Sequence, residues 1–514
     1  MTAPVAPPTN ADTPSGQQRE RAATVYEKSV EGRRAATLPL CDVPARPLAE
    51  LIPERLLRAQ PAELPEISEP EIVRHYTRLS RRNFDLETGP YPLGSCTMKH
   101  NPRLNERVAA LPGHARLHPA QDPARAQGAL ELMWNLERSL AEITGLSQIS
   151  LQPSAGSHGE LAGLLLTRAY HTDLGHQRTK VIIPDTSHGT NPASVTMAGY
   201  EVVKVATDER GGVDLDDLRS SVDEQVACLM LTNPNTLGVF DENIAEIAAL
   251  VHGVGGILYY DGANLNAVMG RSRPGDMGFD ICHLNLHKSF SQPHGGGGPG
   301  SGPIAVSDQI APYLPVPRIV RREGSNDSGA SFGLDHDEPR SIGRLRGFQG
   351  NFGVFVRSYA YIRSLGGDGL RDASETAVLN ANYLLSRLGQ GRAGKYLPLA
   401  FDRVCMHEFV LSGAPAKLDL QVKTLDIAKR LLDYGFHPPT IYFPLLVDEA
   451  LMVEPTETET RESLDELADA IDAILAEAER DPEILRQAPY TTPVRRLDEA
   501  TASRKPVLRQ PRSE

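Results

Sequence analysis

The chain has 514 residues, of which 40% are apolar and 23% charged, enough for a large core and more than one domain. Its formal charge of −13 argues against general nucleic-acid binding, because phosphate backbones favour clustered positive charge. No apolar run approaches the ~18 residues of a membrane span, the N-terminus has no secretory pattern, and Cys41, Cys96, Cys228, Cys282 and Cys405 form no CxxC pair, so a reducing, cytoplasmic setting is expected.

Residues 1–22 carry Pro4, Pro7, Pro8 and Pro14 among small polar residues and read as a disordered tail. Residues 23–120, rich in proline and short polar segments, read as an extended arm. A large α/β domain is expected over 121–375. It opens with Leu130, Met133, Leu136, Leu140 and Ile143 at helical spacing, and Gly145 supplies a left-handed stop. Strands are predicted at 181–183, 202–205, 228–231, 257–260 and 304–306, with a helix over 244–254 between two of them, which implies a mostly parallel sheet. A smaller α+β domain is expected over 376–490, with helices at 425–434 and 459–479; Leu464, Leu467, Ile471 and Leu475 form one apolar face of the latter. The Arg- and Pro-rich residues 491–514 read as a tail.

Four segments at strand ends carry the chemistry, since open α/β sheets bind ligands there. The first is Gln152 to Glu160, leading into a helical run over 161–170; its small residues Ala155, Gly156 and Ser157 would let backbone amides and a helix N-terminus meet a phosphate, or simply cap a helix. The second places His188 just past a buried strand, where its ring could stack on a planar group or bond a turn. In the third, Asp261 ends an apolar strand and needs a positive partner such as a pyridinium nitrogen, a metal or a helix terminus, while the small Ala263 leaves room beside it. The fourth runs from Asn285 through His287 and Lys288 to Gly302 and contains the glycine run 295–298. A desolvated lysine amine can form a Schiff base. A nucleotide P-loop would need its lysine after the glycines, and His283, His287 and His294 lack zinc-site spacing.

The order of phosphate loop, histidine, strand-end aspartate and lysine resembles pyridoxal-phosphate enzymes of the aspartate-aminotransferase fold (fold type I). Longer motifs resemble one family, glycine decarboxylase of the glycine cleavage system: Tyr91 to Lys99, Gln152 to Glu160, His188 to Ser194, Leu231 to Gly238, Asp261 to Asn266, Asn285 to Gly302 and Glu454 to Glu459. That family occurs as one long chain of two homologous halves or as two subunits, and a chain of this length with the lysine is similar to the second, cofactor-carrying subunit.

The resemblance implies pyridoxal 5′-phosphate held covalently by Lys288, stacked by His188, bound at its ring nitrogen by Asp261 and packed on Ala263. Ala155, Gly156 and Ser157 would hold its phosphate, with Asn285 and His287 also at the cofactor. It also implies glycine as substrate, a partner subunit 1 in an α₂β₂ heterotetramer, and transfer of the aminomethyl group to the lipoyl arm of an H-protein with release of carbon dioxide. No metal, membrane or nucleic acid is expected. Ser157 and His100 depart from the family pattern, which would have alanine and tyrosine there. Tyr91, Ser95 and Thr97 are candidates for the substrate pocket, and Arg344 and Arg346 for the substrate carboxylate. Two rival readings are a self-sufficient enzyme of the same fold, such as an aminotransferase or desulfurase-like lyase, and a non-catalytic scaffold.

Overall fold

The computed structural model describes residues 22–60, 62–294, 300–323 and 330–508. The tail expected to be disordered over 1–22 falls outside these residues except for Ala22, and so does the glycine run 295–298. The chain divides into two compact units. The described residues of one lie within Gly89–Gln487, and those of the other within Pro8–Thr88 and Ala488–Glu514.

In the second unit the main regular element is a helix, Glu69–Ser80, with Pro70 in its first turn. Ser68 opens it: its N–H donates to Glu71 Oε2 at 3.3 Å and its hydroxyl donates to the same oxygen at 2.6 Å. Leu38, Leu40, Leu51 and Leu56 are exposed, so this unit buries little apolar surface of its own.

The first unit is built on a seven-stranded sheet: β1 (Gln148–Ser150), β2 (Lys180–Pro184), β3 (Glu201–Val205), β4 (Val226–Leu231), β5 (Ile257–Gly262), β6 (Ile281–Leu284) and β7 (Ile304–Val306). Their order is β1-β7-β6-β5-β4-β2-β3. The run from β3 to β6 is parallel, and β7 and β1 close the edge antiparallel. The five predicted strands are present, but β1 and β6 were not anticipated. The short apolar run of β6, Ile-Cys-His-Leu, is broken by His283, and β1 is only three residues long, so neither gives a pattern to read.

Helices cover both faces. On one, Leu136 and Leu140 of helix Gln127–Thr144 meet Ile247 and Val251 of helix Ile244–Gly253 in a core that includes Phe355. On the other, Leu164 and Leu166 of helix Gly156–Asp173 pack with Val181, Ile183 and Val195. Burying each such side chain contributes about 1.5–3 kcal/mol. Gly145 ends the first helix at φ 69°, as its sequence predicts.

A two-stranded ribbon, β8 (Arg318–Arg322) with β9 (Ser331–Asp335), follows the sheet. Helix Phe352–Gly389 is interrupted at Gly366. It leads to a second core, built on an antiparallel sheet of β10 (Phe409–Ser412), β12 (Ala450–Val453) and β11 (Thr440–Ile441). Helices Thr424–Asp433 and Arg461–Arg480 cover this sheet, and Leu464, Leu467, Ile471 and Leu475 face inward as their spacing predicts. Among the described residues no helix is long and apolar enough to cross a membrane.

One core position sets a pH dependence. Glu137, 6% exposed on helix Gln127–Thr144, has its carboxyl pushed up to about 8 by burial, against the opposing charges of Arg138 and Arg318. The folded chain therefore keeps this proton across a range where the unfolded chain has lost it, and the associated stability falls as pH rises from the ordinary glutamate range through about 8. Glu137→Gln should match the wild type near pH 4.5 and exceed it by on the order of a few kcal/mol above pH 8. Urea unfolding at the two pH values measures the difference, and an equal gap at both would refute the assignment.

Candidate active site

The predicted residues converge at the carboxyl ends of the parallel strands. Asp261 lies in β5, 2% exposed. Its Oδ1 receives the Ala263 N–H at 3.0 Å and lies 3.2 Å from His283 Nε2, and its Oδ2 accepts from Asn191 Nδ2 at 3.3 Å. His283 is held on its other side by the Tyr259 hydroxyl at 2.6 Å from Nδ1, and Asn285 Nδ2 lies 3.1 Å from Nε2. A buried carboxylate is stable only with such partners.

His188 follows β2. Its Nδ1 lies 3.0 Å from Thr190 Oγ1, whose hydroxyl donates to buried Glu160 Oε1 at 2.6 Å; Ser194 Oγ donates to Oε2 of the same carboxylate at 2.9 Å. Burial pulls the imidazole below its ordinary value, and the charges of Asp261 and Lys288 both reach it. A neutral, flat ring is therefore held beside Asp261 at neutral pH.

The 155–157 loop forms a tight cradle. Ala155 is the extended residue before helix Gly156–Asp173, so the first-turn amides are free of intrahelical partners. A Cβ on Gly156 would stand 2.5 Å from Asn285 Oδ1, so only glycine fits against Asn285. Ser157 is exposed in that first turn. Asn351 Nδ2 donates to the Ser154 carbonyl at 3.1 Å and also bonds the Gly300 carbonyl; Arg346 Nη1 donates to Asn351 Oδ1 at 2.9 Å. Arg346 is thus tied to the phosphate-loop side of the site, while Arg344 is exposed.

Lys288 sits on a single helical turn, Leu286–Ser289, that follows β6. Its Nζ donates to the Ser95 carbonyl at 2.7 Å. The adjacent His287 imidazole is pulled down to about 3, chiefly by burial, and its Nδ1 accepts the Ser301 N–H at 3.3 Å. His294 Nε2 meets the His287 carbonyl at 2.8 Å. The ring nitrogens of His283, His287 and His294 therefore serve separate partners. The groupings compatible with a metal among the described residues are instead Glu160, Asp261 and His283, and His407, Glu408 and Glu454.

This constellation fits pyridoxal phosphate: a helix N-terminus packed closely on Asn285 at Gly156, a buried aspartate, and a histidine kept neutral by burial that feels the charges of both Asp261 and Lys288.

The family model described as Glycine cleavage system P-protein matches residues 45–330, and that described as Glycine dehydrogenase, C-terminal domain, matches 373–489. The chain belongs to the glycine cleavage system P-protein family. A "Probable glycine dehydrogenase (decarboxylating) subunit 2" from Bacillus licheniformis is 57% identical over 486 residues, covering 94% of this chain and 98% of the relative. A protein of the same name from Caldanaerobacter subterraneus subsp. tengcongensis is 54% identical, covering 96% and 99%. Among solved structures, glycine decarboxylase (P-protein) of the glycine cleavage system, in inhibitor-bound form, superposes with a TM-score of 0.70 at 21% identity over 83% of this chain and 94% of that one. A NifS-like protein superposes with a TM-score of 0.58 at 16% identity over 76% and 99%. The expected fold class holds: this is the type I fold of pyridoxal-phosphate enzymes, with a smaller C-terminal α+β domain.

In this P-protein fold several site residues escaped the sequence reading. Lys99 is 2% exposed, and its Nζ reaches Glu457 Oε1 at 2.7 Å, Asn266 Oδ1 at 2.8 Å and the Ser289 carbonyl at 2.8 Å. Glu457 is held below the ordinary glutamate range by Lys99 against the cost of burial. Glu408 Oε2 accepts the Ser95 N–H at 2.7 Å, and Glu454 Oε2 accepts the Thr97 N–H at 2.9 Å. The motifs Tyr91–Lys99 and Glu454–Glu459 contained part of this set, but acids and lysines are usually on the surface and nothing local marks these as buried. Cys96 lies between them, its thiol pushed up by burial.

Gly238 locks the P-protein motif Leu231–Gly238 onto β10. At φ 75° its missing Cβ would lie 1.8 Å from the Glu408 carbonyl oxygen, and the Met406 N–H donates to the Gly238 carbonyl at 2.7 Å. Gly238→Ala should cost about 3 kcal/mol or more, through overpacking and a disfavoured backbone. A thermal unfolding midpoint unchanged from the wild type would contradict this.

Proposed function

We propose that the chain is the pyridoxal-phosphate-dependent glycine decarboxylase subunit of a two-subunit glycine cleavage enzyme, releasing carbon dioxide and passing the aminomethyl group to the lipoyl arm of an H-protein. The observation that carries this reading is the His188 imidazole, neutral through burial and within reach of the charges of Asp261 and Lys288, in a chain 57% identical to a relative named for this activity.

Pyridoxal phosphate supplies, when bound, an electron sink for the pair left as carbon dioxide departs. Lys288 would hold it covalently through Nζ. Asp261, fixed by Asn191 and the Ala263 amide, would keep a proton at the ring nitrogen. His188, neutral through burial, would cover one ring face, with Ala263 on the other. Free amides of Ala155, Gly156 and Ser157 would bind the phosphate, with Asn285 and His287 closing the site.

The proposed working division is a large cofactor domain over 121–375 and a small domain over 376–490. The "subunit 2" in the relatives' names supports a partner subunit 1. Exposed Leu38, Leu40, Leu51 and Leu56 of the arm are side chains such a partner would cover, in keeping with an α₂β₂ assembly.

The deciding test is glycine-dependent exchange of bicarbonate with partner subunit and lipoylated H-protein present. Asp261→Asn, isosteric but uncharged, should lower it roughly 10²–10³-fold, the equivalent of losing one buried charge partner. Exchange at the wild-type rate would remove Asp261 from the chemistry. Transamination by the chain alone with an oxo-acid would favour the self-sufficient enzyme instead.

A further inference from the structure

Ser95 and Thr97 both have left-handed backbones, at φ 66° and φ 44°. That conformation is uncommon for residues with a Cβ and has to be imposed by surroundings. Here two buried carboxylates impose it. Glu408, 0% exposed, takes the Ser95 N–H at 2.7 Å, and Glu454, also 0% exposed, takes the Thr97 N–H at 2.9 Å. Glu408 is itself fixed at both its carboxyl and its backbone. Its Oε1 accepts Asn264 Nδ2 at 3.2 Å, Asn264 is held by the Pro234 carbonyl at 3.0 Å, and the Glu408 carbonyl packs on Gly238. The result is that the Ser95 carbonyl faces Lys288 Nζ at 2.7 Å.

An amine that alternates between cofactor and freedom needs a defined acceptor when free. Without one, it would drift from attacking distance or hydrogen-bond elsewhere, losing the advantage of position. The Ser95 carbonyl is such an acceptor. The residue that carries it is anchored at its N–H by a side chain more than three hundred positions away in the chain, and its left-handed backbone then turns the carbonyl to the amine. Lys99 steadies the other side by bonding the carbonyl of Ser289, next to Lys288.

We propose that Glu408 is a positioning residue for Lys288: through the Ser95 amide it fixes the Ser95 carbonyl as the acceptor that receives the Lys288 amine whenever that amine is free. The proposal rests on reading Lys288 as the cofactor lysine. Burial and Glu454 push the Glu408 carboxyl well above the usual carboxylate range, and a neutral carboxyl still offers an oxygen to the Ser95 amide.

Two conservative variants separate position from ionisation. Glu408→Gln keeps the reach and an acceptor oxygen but cannot ionise, whereas Glu408→Asp keeps the carboxyl and falls one methylene short. The full-length chain is freed of pyridoxal phosphate and trace-labelled with acetic anhydride at one pH. Labelling of Lys288 is then quantified by mass spectrometry against Lys417, a half-exposed surface lysine. Glu408→Asp should label Lys288 roughly tenfold faster than the wild type, as expected for loss of a charge-assisted hydrogen bond. Glu408→Gln should stay within about threefold of it. Amide hydrogen exchange at Ser95 should accelerate in Glu408→Asp alone. Equal labelling of Lys288 in wild type and Glu408→Asp, or fast labelling confined to Glu408→Gln, overturns the proposal. A wrong lysine shows itself differently: the visible absorption of the reconstituted wild type would then survive in Lys288→Ala.

Discussion

Lys288→Ala should bind pyridoxal phosphate without the visible absorption of a lysine-bound cofactor and should lose glycine-dependent bicarbonate exchange by at least about 10⁴-fold. That is the scale on which removing a covalently acting residue reduces turnover. The loss should be in turnover and not in folding, since Lys288 is only half-buried and its amine makes one short bond, to Ser95. An absorbance spectrum and an exchange assay, with partner subunit and H-protein added to both proteins, check this. Retention of the absorption by the variant would show that another amine carries the cofactor. Retention of exchange without the absorption would show that the covalent link is dispensable.

Arg430→Ala should lower unfolding free energy by about 3–5 kcal/mol, because removing one partner leaves buried charge uncompensated. The Arg430 side chain is fully buried between two helices of the small domain. Its Nε and Nη2 meet Glu477 Oε2 and Oε1 at 2.8 and 2.9 Å, and Nη1 meets Asp433 at 3.0 Å. The Tyr434 hydroxyl adds a further bond to Glu477 at 3.1 Å. Denaturant unfolding followed by circular dichroism measures the loss. A double variant, Arg430→Leu with Glu477→Leu, should lose less than the sum of the two single changes, since an apolar pair removes both charges together. Additive losses would mean that the two groups do not act as a pair.

How much was legible depended on whether a residue's neighbours in sequence were also its neighbours in space. The strands, the helix stop at Gly145 and the apolar face from Leu464 to Leu475 are local patterns, and these appeared where expected. The 155–157 loop, His188, Asp261 and Lys288 stood out as candidates, because each stands at a strand end within a distinctive run of residues. β1 and β6 were missed because one is three residues long and the other has its apolar run broken by His283, and Lys99, Glu408 and Glu457 because their burial comes from segments far along the chain. The carboxylate-binding candidates Arg344 and Arg346 looked equivalent in sequence. In the fold one is exposed and the other is tied through Asn351 to the phosphate loop.

The sequence by itself determined the fold class and the order of the four strand-end segments, since periodicity, helix stops and strand-end motifs are encoded within short windows. Only the tertiary structure decided which polar groups lose contact with water. Glu408 and Glu454 reach Ser95 and Thr97 across more than three hundred residues, and burial, an outcome of how whole segments pack, turns ordinary glutamates into fixed acceptors for those two amides.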